Sequence, residues 1–460
     1  MGSLATRHAR LAGLVCAAAV LAACGPATLS ERPSRTDSRP NVLLVTLDTT
    51  RSDHLGVYGY ARPTSPVLDR LADDSLVFTR AASTSSWTLP AHASMFTGKL
   101  PSAHGARVDP EGELLLADGL PGDEELPGYR ASTIADAEQT LAERLAEAGY
   151  ATAGVAGGPW LKRIFGLAAG FEHYDEAGVT SWRGAAAPYV ADAALQLLDR
   201  VDDRPFFLFV NFFDPHTPYS PPWLDRLRVV GNPFTLLGEG LAAALLRNAY
   251  DGEIRSMDRQ LGRLLDALHE RGLYDDTLIV VTADHGELFG EGGHFGHGLY
   301  LSEAELHVPL LVKLPGAARA GERVSARVSV AGVCALILEG AGLSVPESVL
   351  PSLTAPLHGP VVAETYPLVQ QSRDGHWRAL YVGNLKYLWN SQGRHELRDL
   401  SDGWDPEQNL IDRSADAARR LDGQLSEILA ATPALPREPK SPRAVDPQTR
   451  EALENLGYLR

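Results

Sequence analysis

Three short runs are apolar almost throughout and rich in β-branched or aromatic residues: 41–47 (NVLLVTL), 206–211 (FFLFVN) and 278–283 (LIVVTA). Runs that are apolar on both faces, with helical segments between them, predict buried parallel strands of an α/β sheet. The periodicity changes to that of an amphipathic helix over 133–150 and again over 253–273. In the second of these, Ile254, Met257, Leu261, Leu264, Leu265 and Leu268 fall on one face and read as core. From about Gly342 the pattern becomes short and alternating: PVVAETY, HWRALYVG, LKYLWN and RHELRDL. That predicts a smaller antiparallel α+β subdomain over 342–432. A proline-rich linker and a terminal helix from Asp446 occupy 433–460, and no internal repeat is visible.

The chemistry gathers where the apolar runs stop. The first run breaks off at Asp48, the second runs into a loop containing His216, and the third ends at Asp284-His285. In open α/β sheets, ligands collect outside the carboxyl ends of the strands. The stretch 86–98 (SWTLPAHASMFTG) adds a helix with Thr88 as N-cap hydroxyl, Pro90 in its first turn and Gly98 as its stop. The unpartnered N–H groups and dipole at such a helix start suit a phosphate or sulfate. Asp48, Asp284, His285 and Thr88 together offer two carboxylates, an imidazole and a hydroxyl. That set suits one divalent metal ion, with calcium, zinc and manganese all open. Each aspartate alone reads equally as a cap for the element that follows. Two of them, with His285 adjacent and His294 and His297 close behind, favour a site.

The N-terminus carries Arg7 and Arg10 ahead of LAGLVCAAAVLAA, an apolar run too short to span a bilayer. Residues 1–23 therefore read as an export signal. The run ends in Leu21-Ala22-Ala23-Cys24, which resembles a bacterial lipoprotein cleavage box. It makes Cys24 the lipid-bearing first residue, with 24–40 as a polar tether. Cys16 leaves with the signal, so Cys334 remains as the single thiol and no internal disulfide is available. The chain carries a formal charge of −16, or −18 once Arg7 and Arg10 are removed. An acidic chain without a basic run is a poor partner for nucleic acid or for peripheral binding to anionic lipid. A small anionic ester substrate would have to be attracted locally, by a metal, histidines or helix ends.

Five ordered segments resemble the sulfatase family of the alkaline phosphatase superfamily. They are LLVTLDTTRSDHLGVYGY, SSWTLPAHASMFTG, FDPHTPYSPP, VVTADHGELFGEGGHFGHGLYLSEAELHVPLLVKLPG and LRDLSDGWDPEQNL, and they extend over most of the chain from Asn41 to about Leu410. The resemblance implies an alkaline phosphatase-like three-layer sandwich over 41–341, with a smaller C-terminal α+β subdomain holding a short antiparallel sheet. Position by position, it makes Asp48, Asp284 and His285 metal ligands, and Thr88 the nucleophile that also touches the metal. His216 matches a histidine on the substrate's anionic group or leaving oxygen, and His297 falls where sulfatases carry a lysine.

The departures from the family pattern are equally specific. Sulfatases read Cys or Ser, then Pro two residues on and Arg four residues on, and oxidise the first residue to formylglycine. Here the pattern is Thr88-x-Pro90-x-His92, so no formylglycine is expected and His92 stands at the arginine position as a further candidate catalytic residue. The second residue of the usual Asp-Asp pair is Thr49. Where many members read Gly-Lys-Trp-His, this chain reads Gly158-Pro159-Trp160-Leu161, which leaves Lys162 or Arg163 as substitutes. A hydrated aldehyde can expel sulfate with its second hydroxyl, whereas a threonine adduct must be cleared by water. That favours phosphate esters or diesters over sulfate esters. The competing readings are a transferase of phosphoethanolamine-type headgroups onto envelope glycans, a true sulfatase, and a non-catalytic binding lipoprotein. Segments 107–129 and 220–246 are an acidic loop and an apolar stretch of open role.

Overall fold

The structure is a computed structural model, and it describes residues 37–115, 130–135, 137–180, 184–229, 241–354, 359–366, 375–401, 408–432 and 443–455. The expected export signal and most of the tether lie outside the described residues, as do 116–129 of the acidic loop and 230–240 of the apolar stretch.

All three apolar runs are strands: β1 (Asn41–Leu47), β5 (Phe206–Phe212) and β6 (Thr277–Thr282). They lie side by side in an eight-stranded mixed sheet completed by β2 (Leu76–Phe78), β3 (Ala151–Val155), β4 (His173–Asp175), β7 (Leu310–Lys313) and β8 (Arg323–Val324). The order is β8-β2-β7-β6-β1-β5-β3-β4. β1 pairs in parallel with β6 on one side and β5 on the other, with Thr46 opposite both Thr282 and Asn211. Every residue of these three strands is buried, which is why the sequence shows continuous apolar runs there rather than alternation.

Two groups of helices cover the sheet. α1 (Pro66–Asp73) and α4 (Ala187–Leu198) pack with the long α6 (Leu241–Glu270), while α2 (Thr88–Thr97), α3 (Leu141–Glu147) and α7 (Gly332–Gly340) pack together. Members of each group also touch sheet strands, giving three layers around one large core. α5 (Trp223–Arg228) lies against α6. The C-terminal sheet is antiparallel, in the order β9 (Val361–Glu364), β10 (Trp377–Val382), β11 (Leu385–Asn390), β12 (Glu396–Asp399), with α8 (Ala415–Ala431) packed on it. The terminal helix α9 (Pro447–Asn455) lies against the Pro159–Leu161 turn, and Arg443–Ala444 pairs with Leu114–Leu115 of the acidic loop.

Three local expectations are corrected. The helix expected over 133–150 is only Leu141–Glu147: Thr140 and Glu143 form a reciprocal capping box that starts it late, and ahead of it the Thr133 and Ala135 N–H groups donate to Glu113 Oε1 (3.0 Å) and the His104 carbonyl (3.1 Å) instead. The helix expected over 253–273 begins much earlier, at Leu241, and takes in part of the apolar stretch. Thr88 is the first helical residue and not the N-cap. The cap is Trp87, in an extended conformation (φ −147°, ψ 141°) with no side-chain cap bond, and Gly98 closes the helix at φ 69°.

Candidate active site

The carboxyl ends of β1 and β6 present Asp48 and Asp284 side by side. One ligand atom from each, with one from His285, lies within 4.8 Å of the others, and all three residues are buried. Thr49 follows Asp48 at φ 51°, a left-handed conformation that costs a non-glycine residue about 1–3 kcal/mol. It is held there from both sides: its N–H donates to Asp284 Oδ1 (3.2 Å) and its carbonyl accepts from the Tyr250 hydroxyl (2.7 Å). Asp284 Oδ1 also accepts from the His285 N–H at 2.9 Å. Gly286 must be glycine, because a Cβ there would come within 2.0 Å of the Ala304 carbonyl oxygen.

Both carboxylate oxygens of Asp48 and Oδ2 of Asp284 are buried without a hydrogen-bond partner. Burial and the neighbouring charges of Asp284 and Glu287 push the Asp48 carboxyl well above its ordinary range, and burial raises Asp284 as well. Uncompensated buried carboxylates of this kind are costly unless paired or bound to a cation. His285 Nδ1 donates to the Gly286 carbonyl at 2.9 Å, which fixes the tautomer and turns the Nε2 lone pair towards the carboxylates, 3.5 Å from Asp284 Oδ2. The donor set therefore fits a divalent cation held by Asp48, Asp284 and His285.

Thr88 is 1% exposed, and its hydroxyl lies 3.2 Å from His285 Nε2. The extended residue ahead of α2 sends this side chain into the ligand cluster instead of back onto its own helix. His92, one turn on, does something different. Its Nδ1 donates to the Thr88 carbonyl and its Nε2 accepts from the Thr46 hydroxyl, both at 2.9 Å, while Nδ1 stands 3.6 Å from Asp284 Oδ2. His92 thus ties the first turn of α2 to β1 beneath the ligands.

His216 and His297 close the other side. The His297 ring is 4.4 Å from His285 and 5.0 Å from His216 between centroids, and Phe213 stacks under His216 at 4.5 Å. His216 Nδ1 donates to the Thr217 carbonyl at 2.7 Å. Burial, reinforced for His216 by the His297 ring, pushes both imidazoles down to about 3. The six candidate positions on Asp48, Thr88, His216, Asp284, His285 and His297 are therefore brought together, with His92 one layer below.

Glu287, not singled out in the sequence, belongs with them. It is buried, accepts from His297 Nδ1 at 2.9 Å through Oε1 and from the Tyr219 hydroxyl at 3.1 Å through Oε2. Its signal was its place two residues after His285. Asn211 is another: its Oδ1 accepts from the N–H groups of Gly157 (3.1 Å) and Gly158 (3.0 Å), and its Nδ2 donates to Thr46 (3.0 Å). This draws the loop after β3 so close that a Cβ on Gly158 would lie 3.5 Å from Asp48 Oδ2. Arg163 is committed to the Tyr174 carbonyl at 2.7 Å, and Lys162 Nζ lies 3.9 Å from Asp446 at the start of α9.

An α/β sandwich with two strand-end aspartates, an adjacent histidine and a helix-start hydroxyl defines an ester hydrolase of the alkaline phosphatase superfamily. The chain belongs to the sulfatase family, whose model matches residues 40–343. It is 24% identical over 382 residues to an arylsulfatase of Clostridium perfringens, covering 68% of this chain and 76% of that one. It is 28% identical over 392 residues to the multifunctional alkaline phosphatase superfamily protein PehA of Trinickia caryophylli, covering 68% and 75%. The solved phosphonate monoester hydrolase of Agrobacterium radiobacter shares the fold with a TM-score of 0.65 at 21% identity, covering 85% of this chain and 95% of that one.

Proposed function

We propose that the protein hydrolyses phosphate esters or diesters in preference to sulfate esters, through a covalent intermediate on Thr88. The observation that carries this is the position of the Thr88 hydroxyl, 3.2 Å from His285 Nε2 at the edge of the Asp48, Asp284 and His285 cluster. A divalent ion bound by those three residues would supply positive charge that eases deprotonation of the hydroxyl and neutralises the ester's oxygens.

The chain's own residues carry the rest. The Thr88 hydroxyl loses its proton to solvent, and its oxygen forms a bond to phosphorus as the ester oxygen departs. The start of α2 directs N–H groups at the resulting phosphothreonine. An anionic ester bound beside the two imidazoles would favour their protonated forms over the neutral ones of the empty site; so charged, His297, backed by Glu287 at 2.9 Å, is placed to deliver a proton to the departing oxygen, and His216 to hold the anion beside it. Water then attacks phosphorus, the phosphorus–Oγ bond breaks, and the hydroxyl is restored. A single hydroxyl offers no internal route for expelling sulfate, which is the chemical ground for the phosphorus preference. The multifunctional character named for the PehA relative agrees with a site of this family that is not confined to sulfate.

From the apolar run that ends in Leu21-Ala22-Ala23-Cys24 we also propose that the protein is an exported lipoprotein held to the cell envelope through Cys24. The test of the chemistry is mass spectrometry of acid-quenched enzyme during turnover, with a panel of aryl sulfate, phosphate monoester, phosphodiester and phosphonate. A phosphorus-derived adduct on Thr88 is expected, together with a loss of several orders of magnitude in Thr88→Ala. Faster hydrolysis of sulfate esters without any phosphothreonine overturns the proposal.

A further inference from the structure

Among the described residues, five of the seven large exposed apolar side chains lie on two helices packed on each other: Trp223 (68% exposed), Leu224 and Leu227 on α5, and Leu245 and Leu246 near the start of α6. Their neighbours Asp225, Val229, Ala244 and Ala249 are turned inward and buried. The two helices are fixed to each other by Arg259, which holds Asp225 through contacts of 2.6 and 2.7 Å. The apolar face is therefore presented by a braced pair and not by a loose loop. A cluster of this kind on a folded surface marks an interaction site.

The charge beside it is opposite to that of the chain. Over Trp223–Arg228 and 243–249 the sequence carries Arg226, Arg228 and Arg247 against Asp225, and Asp225 is buried and already paired. The whole chain is at −16. A tryptophan and leucines flanked by the exposed Arg226 and Arg228 suit the boundary between anionic headgroups and acyl chains.

We propose that this face docks on an anionic phospholipid bilayer. The proposal extends the lipoprotein reading: the 17 residues from Cys24 to Pro40 reach at most about 60 Å when fully extended, so an acylated chain keeps the enzyme body within that distance of a bilayer. The docked face is also joined to the candidate site. Pro221, two residues before Trp223, packs on α6, where a Cβ at Gly252 would meet it at 2.9 Å, and the Ser220 N–H donates to Glu253 at 2.5 Å. The chain from His216 to α5 is thus a short braced segment, and docking would set the site at headgroup level.

The experiment uses the full mature chain with Cys24→Ala, produced without export so that no acyl group is present, and sucrose-loaded vesicles in co-sedimentation. Vesicles of equal phosphatidylglycerol and phosphatidylcholine should take up the protein, and Trp223→Asp/Leu227→Asp should lower the partition at least tenfold while its melting temperature stays unchanged. Arg226→Glu/Arg228→Glu should remove the preference over pure phosphatidylcholine. The proposal is overturned if the parent chain stays in the supernatant at every lipid concentration, or if the apolar-face variant binds equally. It is overturned equally by a dimer that the same substitutions abolish, without vesicle binding, since a second copy would then be the occupant. Incorporation of labelled palmitate at Cys24 in the exported protein tests the anchor separately, so failure of one reading is distinguishable from failure of the other.

Discussion

Glu303 is the perturbation whose cost the structure allows to be worked through. It is buried where the large domain meets the C-terminal sheet, and its Oε1 accepts from Lys386 Nζ at 2.8 Å and from the Tyr381 hydroxyl at 2.6 Å. Its Oε2 lies 3.4 Å from Arg327. Burial alone would raise this carboxyl, but Lys386, Arg327 and His307 outweigh it and pull the group down to about 2 from an ordinary 4.5. That difference corresponds to about 3 kcal/mol of stability. Because the folded pKa is depressed, the contribution is complete above about pH 4.5 and fades as pH falls towards 2. Glu303→Gln should therefore cost about 3–5 kcal/mol at pH 7, since it takes the carboxylate charge away from a fully buried lysine. The difference from wild type should shrink steadily between pH 4.5 and 2. Glu303→Gln/Lys386→Met should recover part of the loss. Urea unfolding of the three proteins across this pH range is the assay. A difference below about 1 kcal/mol at pH 7, or one that does not change with pH, would refute the reasoning.

Three further outcomes are expected. Chelation should lower the melting temperature and remove one divalent ion per chain, and Asp284→Asn should abolish both metal content by mass spectrometry and that thermal shift; at a hundred times the dissociation constant the ion adds about 2.7 kcal/mol. Glu287→Gln should slow alkyl phosphate hydrolysis by about a hundredfold but 4-nitrophenyl phosphate much less, because only a poor leaving group needs the His297 proton; equal losses in steady-state assays would remove Glu287 from that role. Cys24→Ala should convert the exported protein's membrane association from detergent-dependent to one that a high-salt or alkaline wash releases, and continued detergent-dependent fractionation would sink the anchor assignment.

Strands were legible in this sequence where burial is complete on both faces. β1 ends at Leu47 and hands Asp48 to the site as the apolar run implies, and the same rule places Asp284 after β6. The antiparallel C-terminal sheet was legible from its less buried positions, Arg378 and Val382 on β10 and Leu385 and Trp389 on β11, which interrupt the apolar run although both faces are packed in the middle of each strand. What escaped were features set by partners distant in sequence. The 133–150 segment carries helical periodicity, yet the bonds of Thr133 to Glu113 and of Ala135 to His104, with the Thr140 cap, decide where its helix begins. Tertiary contact overrides propensity there.

The same distinction explains the site itself. Residue types and strand ends pointed to Asp48, Thr88, Asp284 and His285, because each sits where the backbone leaves the sheet or starts a helix. Position alone could not separate His92 from them, since it occupies the family's arginine position on the same helix. The structure shows it bonded to the Thr88 carbonyl and to Thr46, while Asn211 bonds the same Thr46 hydroxyl from β5. Thr46 thus joins α2, β1 and β5 directly beneath the ligands. An arginine at position 92 would bring a cation into that layer; a histidine whose burial lowers its pKa brings a neutral donor and acceptor instead. The negative charge of the Asp48 and Asp284 pair is then left for a bound cation to balance. The substitution that removes the maturation motif therefore also bears on the electrostatics of the site, so Thr88 and His92 are best understood as one change.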